Sequence, residues 1–395
     1  MKKQVIVLLT VIVMSIIFCS CNKDSTPEPI NNEPVISSRS FYMGFTPFPY
    51  DVTASSLDDV YNKIETDADF ITHHLDNGIP WNEALVDTYP YDNNIMNDWS
   101  TRLSKTPIGH KTLLIITPIG GGRDGLADYR KENDGMALVS PFDIHGTNKD
   151  FDHIDVKTAY LNYCKRIINY FSPSYLGIGI EVNLLRKNTD QSTWNKYIAL
   201  QSYIYDELKL LYPNLPVFAS LEALEALEGY PLGIPAEFGG DATAYANSQK
   251  TAIDNVLLKS DYYALSMYPF KMAYYNSDYP STMFDDVFAL NNGKTIAIAE
   301  TGYTAESFDA YGITFVGSEL KQKNFVDDLL VKSNQYDVEF VTYFVLWDYD
   351  LLCASLGLCG VDAFKIWKDT GLYDGLGNER NSLAVWKSYL SLPIN

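Results

Sequence analysis

Residues 175–182 read YLGIGIEV and residues 295–300 read TIAIAE. Each is an apolar run without polar alternation, the pattern of a strand buried on both faces of a parallel sheet. Each also carries a carboxylate at its end, Glu181 one residue before the last of the first run and Glu300 the last of the second. Six further runs share the pattern: FYMGFT from Phe41, ADFITHH from Ala68, TLLIIT from Thr112, PVFAS from Pro216, YYALSMY from Tyr262 and VTYFVLW from Val341. Between them lie stretches with helical spacing of apolar residues: SLDDVYNKIE from Ser56, VKTAYLNYCKRIINYF from Val156, TWNKYIALQSYIYDELKLLY from Thr193, SELKQKNFVDDLLVKSN from Ser318 and NSLAVWKSYL from Asn381. Strands alternating with helices imply βα units around a parallel sheet. An open doubly wound sheet would also alternate, but eight strand signals with no Gly/Pro-rich break predict a single (β/α)8 TIM barrel with long βα loops over residues 41–395.

Composition narrows the function. The chain has 395 residues, with Lys plus Arg at 30 against Asp plus Glu at 50 and a net charge of −20. Nucleic-acid binders need a basic face, so this acidic excess excludes that class, and a polybasic lipid surface with it. At 46% hydrophobic and 14% aromatic the chain is built to fold. Five Cys are too few for a disulfide-built scaffold.

The N-terminus reads as an address. Lys2 and Lys3 precede the apolar run Val5 to Phe18, followed at once by Cys19, Ser20 and Cys21. A membrane-spanning helix needs about 20 apolar residues, so the run predicts a signal peptide over residues 1–20. The ending resembles the lipobox of bacterial lipoproteins, which implies lipidation at Cys21 after cleavage, with Ser20 as the small preceding residue. The following NKDSTPE resembles the surface-export tether of Bacteroides-type lipoproteins. Residues 21–40, rich in Asn, Ser, Pro and Glu, then read as a flexible linker. A lipid anchor of this kind holds a protein at a membrane without a spanning helix. Cleavage removes two lysines and no acid, taking the net charge from −20 to −22. That charge disfavours strongly anionic partners.

In a barrel, chemistry sits at the C-terminal ends of the strands. Glu181 and Glu300 end strands four and seven, on opposite sides of the barrel, so both can reach one mouth. Two carboxylates flanking a cleft suit glycosidic bond cleavage. Here the chain resembles the clan of retaining (β/α)8 glycoside hydrolases, and within it the arabinogalactan endo-galactanases. The resemblance rests on SMYPF (Ser266 to Phe270), AETGY (Ala299 to Tyr303), LWDYD from Leu346, and the closing GLYDGLGNERNSLAVWKSYL. It implies Glu181 as acid/base, Glu300 as nucleophile, Tyr268 beside the nucleophile and Trp347 as an aromatic floor. One position departs: the clan's Asn before the acid/base Glu is Ile180 here, and Asn183, two residues past Glu181, is the candidate to take over its contact with the sugar.

Aromatic faces stack on sugar rings, so Tyr268, Trp347 and Tyr303 are candidate substrate contacts. His73, His74 and Trp81, in HHLDNGIPW after strand two, are further candidates, with one His expected to reach the cleft. LEALEALE from Leu221 reads as a charged helical face. Gly120, Gly122 and Gly125 form a formal G-x-G-x-x-G, but polar, irregular sequence follows, so a barrel loop is expected rather than a dinucleotide site. The acidic stretch 143–155 lacks EF-hand spacing and reads as a solvated loop. Neither a cofactor nor a metal is implied. Cys353 and Cys359 are close enough in sequence to pair, and Cys164 reads as a buried thiol. Two other readings stay open: a non-catalytic glycan-binding surface lipoprotein on the same scaffold, and a barrel enzyme of another class, such as a lyase.

Overall fold

Eight parallel strand positions close into a (β/α)8 barrel in the computed structural model, which describes residues 36–228, 233–272 and 278–395. The strands are β1 (Tyr42–Phe45), β2 (Phe70–Leu75), β3 (Lys111–Ile116), β4 (Tyr175–Gly177), β5 (Val217–Phe218 and Ser220–Glu222), β6 (Tyr262–Met267), β7 (Thr295–Thr301) and β8 (Phe340–Tyr343). Each pairs with the next, and β1 pairs with β8. Closure depends on β5. Its first segment pairs with β4 (Gly177 opposite Phe218), and its second pairs with β6 (Ser220 opposite Ala264). Ala219 lies between the two.

The outer layer comprises α1 (Ala54–Asp67), α2 (Asn93–Lys105), α3 (Ile154–Phe171), α4 (Gln191–Leu211), α5 (Ala242–Leu257), α6 (Met283–Phe288), α7 (Glu319–Gln335) and α8 (Asn381–Leu390). Their starts follow from capping side chains that satisfy free backbone N–H groups. Asp190 accepts from Thr193 N at 2.7 Å, Asp241 from Ala244 N at 2.9 Å and Ser318 from Lys321 N at 3.2 Å. The closing helix α8 buries Trp386, whose Nε1 donates to Asp67 O at 2.8 Å.

Side-chain alternation along the strands creates two cores. One fills the barrel, with Phe70, Leu113, Ile115, Tyr175, Ile180, Phe218, Ala264, Ala297, Ala299 and Phe340. The other, far larger, lies between strands and helices. In β7, Ala297 and Ala299 point in while Ile296 and Ile298 point out. The alanines of β6 and β7 leave room for the aromatic rings of β2, β4, β5 and β8.

The structure differs from the sequence expectation at three places. The run 175–182 is not one strand. Regular pairing stops at Gly177, because Ile178 joins the outer core and Ile180 the inner one, which breaks the alternation. LEALEALE is not a charged helix face: Ala223–Ala226 form a short 3-10 turn that buries Glu222 and Glu225. The linker expected to reach residue 40 is already tied down at Arg39, whose N–H donates to Pro393 O at 2.9 Å. Cys21 and the signal at 1–20 lie outside the described residues, among which no helix is long and apolar enough to cross a membrane.

Candidate active site

Glu300 reaches the barrel mouth through a fault in β7. Strict alternation would send it outward with Ile296 and Ile298. The register of β7 against both neighbours shifts after Ile298, a bulge-like irregularity that re-aims the side chain. Glu181 gets there differently. It takes a left-handed backbone (φ 47°), uncommon for a residue with a Cβ, and its N–H is held by Ser220 Oγ at 3.0 Å. Both carboxylates are largely buried, at 14% and 13% side-chain exposure.

The two acids are held from one strand end. Ser266 Oγ donates to Glu181 Oε1 at 2.7 Å, and the Tyr268 hydroxyl donates to Glu300 Oε1. Arg123, at the tip of the glycine loop after β3, donates to Glu181 Oε2 at 3.1 Å. On the far side, His74 Nε2 lies 3.6 Å from Glu300 Oε2. Lys271 lies over the Tyr268 ring at 4.3 Å and the Trp367 ring at 4.8 Å.

These neighbours set opposite proton affinities. Burial disfavours the Glu181 carboxylate, but the charges of Arg123 and Lys271 and the Ser266 hydrogen bond outweigh it, so its pKa falls below the ordinary value. Burial also dominates at Glu300, and with the negative charge of Glu181 it outweighs His74, Tyr268 and Lys271, so that pKa rises. In this arrangement Glu300 holds a proton more tightly than Glu181 does.

Glu181 also borders a cavity of about 540 Å³, lined further by Glu222, Glu225, Lys187 and Lys271 and by an apolar wall that includes Leu184, Ile313, Phe315 and Ile366. Glu222 and Glu225, read from sequence as solvated, are therefore site residues. The helical spacing of LEALEALE concealed them; their position just after a strand was the signal available.

The other expected contacts divide. His74 points inward to Glu300. His73, one residue away on the same strand, points outward, where its Nε2 pairs with Thr106 Oγ1 at 2.8 Å and its ring packs near Tyr61 and Phe171. Burial, the largest cause, holds its pKa well below the ordinary value. Trp81 is fully buried against Phe142 and Tyr160, its Nε1 donating to Ala127 O. Tyr303 is buried against Phe270 and Phe325. Asn183 is buried too. Its side-chain amide donates to Glu222 O and Gln249 Oε1 and its carbonyl accepts from Glu222 N, so it clamps the end of β5 instead of meeting a sugar. Tyr268 is buried and serves Glu300 rather than offering a face. Trp347 is already stacked on Tyr50 at 4.3 Å and Tyr373 at 5.5 Å. The partly exposed rings around the Glu300–Tyr268 pair are Trp367 and Phe344, with Phe48 beside His74. Ile180 fills the barrel interior.

The glycine loop does not enter a helix after Gly125 and contributes Arg123 to the cleft. In the 143–155 segment, Asp143 caps Gly146 N and Asp155 pairs with Lys149. The Asp348, Asp350 and Asp369 oxygens gather within 4.8 Å, and each carboxylate pairs with a basic side chain, Asp348 with Arg380 and the other two with Lys368. Cys353 and Cys359 are joined in a disulfide, and Cys164 is buried and free.

No family model matches the chain, and no curated protein matches it in sequence. Solved structures match its fold. The GH5_18 protein from Streptomyces cattleya, in complex with GlcNAc, aligns with a TM-score of 0.58 and 11% identity over 90% of this chain and 80% of its own. Xylanase 10B from Thermotoga maritima gives 0.57 and 12% over 89% and 95%. An exo-β-1,4-mannosidase from Opitutaceae bacterium strain TAV5 gives 0.57 and 10% over 90% of this chain but 60% of its own. At these identities the likeness is one of fold.

Proposed function

We propose that the chain is a retaining glycoside hydrolase that cleaves a β-linked polysaccharide or oligosaccharide by double displacement. The observation that carries this reading is the pair Glu181 and Glu300, turned into one barrel mouth and held by Ser266 and Tyr268. In the first step Glu300 attacks the anomeric carbon while Glu181 protonates the departing oxygen. In the second, Glu181 takes a proton from water, which displaces Glu300 from the sugar. Trp367, Phe344 and Phe48 supply apolar faces for sugar rings. The fold neighbours named above, a mannosidase and a xylanase among them, support this chemistry by analogy.

The mechanism needs a proton on Glu181 and none on Glu300. Loosening of the Arg123–Glu181 pair on substrate binding favours that protonation state.

We further propose that the enzyme is a lipoprotein anchored at Cys21 on the outer membrane, acting on the interior of glycan chains in the manner of the endo-galactanases. The lipobox-like FCSC sequence and the long loops support this.

The test is a polysaccharide screen with mass analysis of products and NMR of the released anomer. Wild type should release product with retained configuration, and Glu300→Gln should abolish turnover while keeping glycan binding. The second reading, a non-catalytic glycan binder, is favoured by the Arg123–Glu181 ion pair. It wins if wild type binds a glycan on the panel yet hydrolyses none.

A further inference from the structure

The mechanism above does not use Glu222. Its side chain is buried with 3% of the residue exposed, on the wall of the 540 Å³ cavity. One oxygen, Oε2, accepts from Glu225 N at 2.9 Å. The other, Oε1, is buried and has no hydrogen-bond partner among the described residues. A buried polar atom without a partner is costly, so such an atom on a cavity wall points to a ligand group that completes it. Glu225 cannot play this part, because Lys187 and Tyr245 occupy its two oxygens.

The cavity has a direction. It borders Glu181, the acid/base, and not Glu300, the nucleophile. In double displacement the nucleophile lies under the sugar that is attacked and the acid lies at the oxygen that leaves, so a cavity that borders the acid and not the nucleophile lies on the leaving-group side. Its volume falls within the range of small-ligand sites, roughly 300–1,000 Å³. Leu184, Ile313, Phe315 and Ile366 add apolar surface to a lining that also holds polar groups, as a sugar with a C–H face and a hydroxyl edge requires.

We propose that this cavity is the subsite for the leaving-group sugar, and that Glu222 selects that sugar by hydrogen bonding through Oε1 to one of its hydroxyls. This deepens the glycosidase reading and rests on it. Asn183 is the positioning residue, holding both backbone groups of Glu222. Burial, and then the charge of Glu225, pushes the Glu222 carboxyl up to about 8, which favours the neutral acid, a form that can donate as well as accept.

The experiment uses aryl β-glycosides as donors and free galactose, glucose, mannose, xylose, arabinose and N-acetylglucosamine as acceptors. The sugar formed on Glu300 passes either to water or to an acceptor. In the second case the acceptor hydroxyl oxygen bonds to the anomeric carbon, the bond to Glu300 breaks, and the hydroxyl proton goes to Glu181. Mass spectrometry reads the ratio of transfer to hydrolysis, which is internal to each variant. Wild type should favour transfer to one acceptor. Glu222→Leu should lower that ratio tenfold or more, and Glu222→Gln should keep it within a few-fold. Leu184→Trp, which fills the cavity from another lining residue, should lower it too and covers the case in which Glu222→Leu fails to fold. An unchanged ratio in the leucine and tryptophan variants overturns the subsite and leaves the glycosidase reading standing, as does a wild type that hydrolyses donors but transfers to no acceptor. If no donor reacts, the glycosidase reading fails, and calorimetry with the same free sugars decides the subsite: binding lost in Glu222→Leu or Leu184→Trp supports it, and absent or unchanged binding overturns it.

Discussion

Ser266 and Tyr268 stand two residues apart at the end of β6, and each holds one of the two cleft carboxylates, Ser266 on Glu181 and Tyr268 on Glu300. Residues two apart on an extended chain share a face, so a single strand end sets the placement of both acids. Both hydrogen bonds favour the ionised carboxylate. Removing either should therefore raise a pKa, with opposite effects on the pH profile. Tyr268→Phe raises the pKa of Glu300, the higher of the two in the free enzyme, so the basic limb of kcat/KM moves to higher pH and the plateau falls, because less enzyme carries an ionised Glu300 beside a protonated Glu181. A hydrogen bond to a charged group contributes about 1.5–3 kcal/mol, so the rate should also fall about 10- to 100-fold. Ser266→Ala raises the pKa of Glu181, the lower of the two in the free enzyme, so the acidic limb moves up and the plateau rises as more enzyme carries a protonated Glu181 beside an ionised Glu300. Kinetics across pH on one substrate check both.

Arg123 should act on the same limb more strongly, since it adds a charge to its hydrogen bond. Arg123→Gln is expected to raise the Glu181 pKa and shift the acidic limb of kcat/KM upward, with the basic limb moving less. A profile with both limbs unmoved would show that Arg123 does not hold Glu181 in the working enzyme.

Glu222 gives a stability prediction with a definite sign. Its carboxyl is raised in the folded protein from 4.5 to about 8, mainly by burial. Between those values the folded state keeps a proton that the unfolded chain has released, so stability falls as pH rises through that window. The charged and titratable groups facing it are Glu225, Lys271, Glu181, Tyr245 and Tyr263. Glu222→Gln cannot ionise and should show a smaller fall in Tm between pH 5 and pH 8 than wild type. Thermal melts at the two pH values decide it.

Gly302 lies two residues past Glu300, where a Cβ would come within 2.3 Å of Phe344 O and 3.3 Å of the Tyr268 ring. The backbone at the end of β8 cannot yield cheaply. Gly302→Ala should cost about 1–3 kcal/mol of stability and should lower kcat by disturbing the Tyr268–Glu300 pair. A variant with wild-type Tm and kcat would refute this.

The barrel was legible from its apolar runs because strands buried on both faces leave a continuous signal. The site was legible only in part. Glu181 and Glu300 stood out as carboxylates closing apolar runs, yet their orientation comes from local faults, the register shift after Ile298 and the left-handed turn at Glu181, which no periodicity encodes. His73 and His74 could have been separated by alternation alone: Phe70 and Thr72 share parity with His74, and Phe70 faces the barrel interior. Trp81 and Tyr303 were misread because aromatic residues beside a predicted site are used as often for packing under loops as for binding. Glu222 and Glu225 were hidden by a three-residue repeat that mimics a solvated helix.

The interruption of β5 at Ala219 has a mechanical consequence. Regular pairing there passes from a two-residue segment facing β4 to a three-residue segment facing β6, with Ser220 still bonded to the chain beyond β4, its N–H donating to Gly179 O at 2.9 Å and its O accepting from Val182 N at 3.0 Å. Such a join is a seam, and it lies between the strand ends that carry Glu181 and Ser266. Amide protons at 217–222 should exchange with solvent faster than those of β2 or β3. A sugar gripped between Glu181 and Glu222 would act as a clasp across that seam, so occupancy of the cleft should be read out as slower exchange in the barrel wall itself.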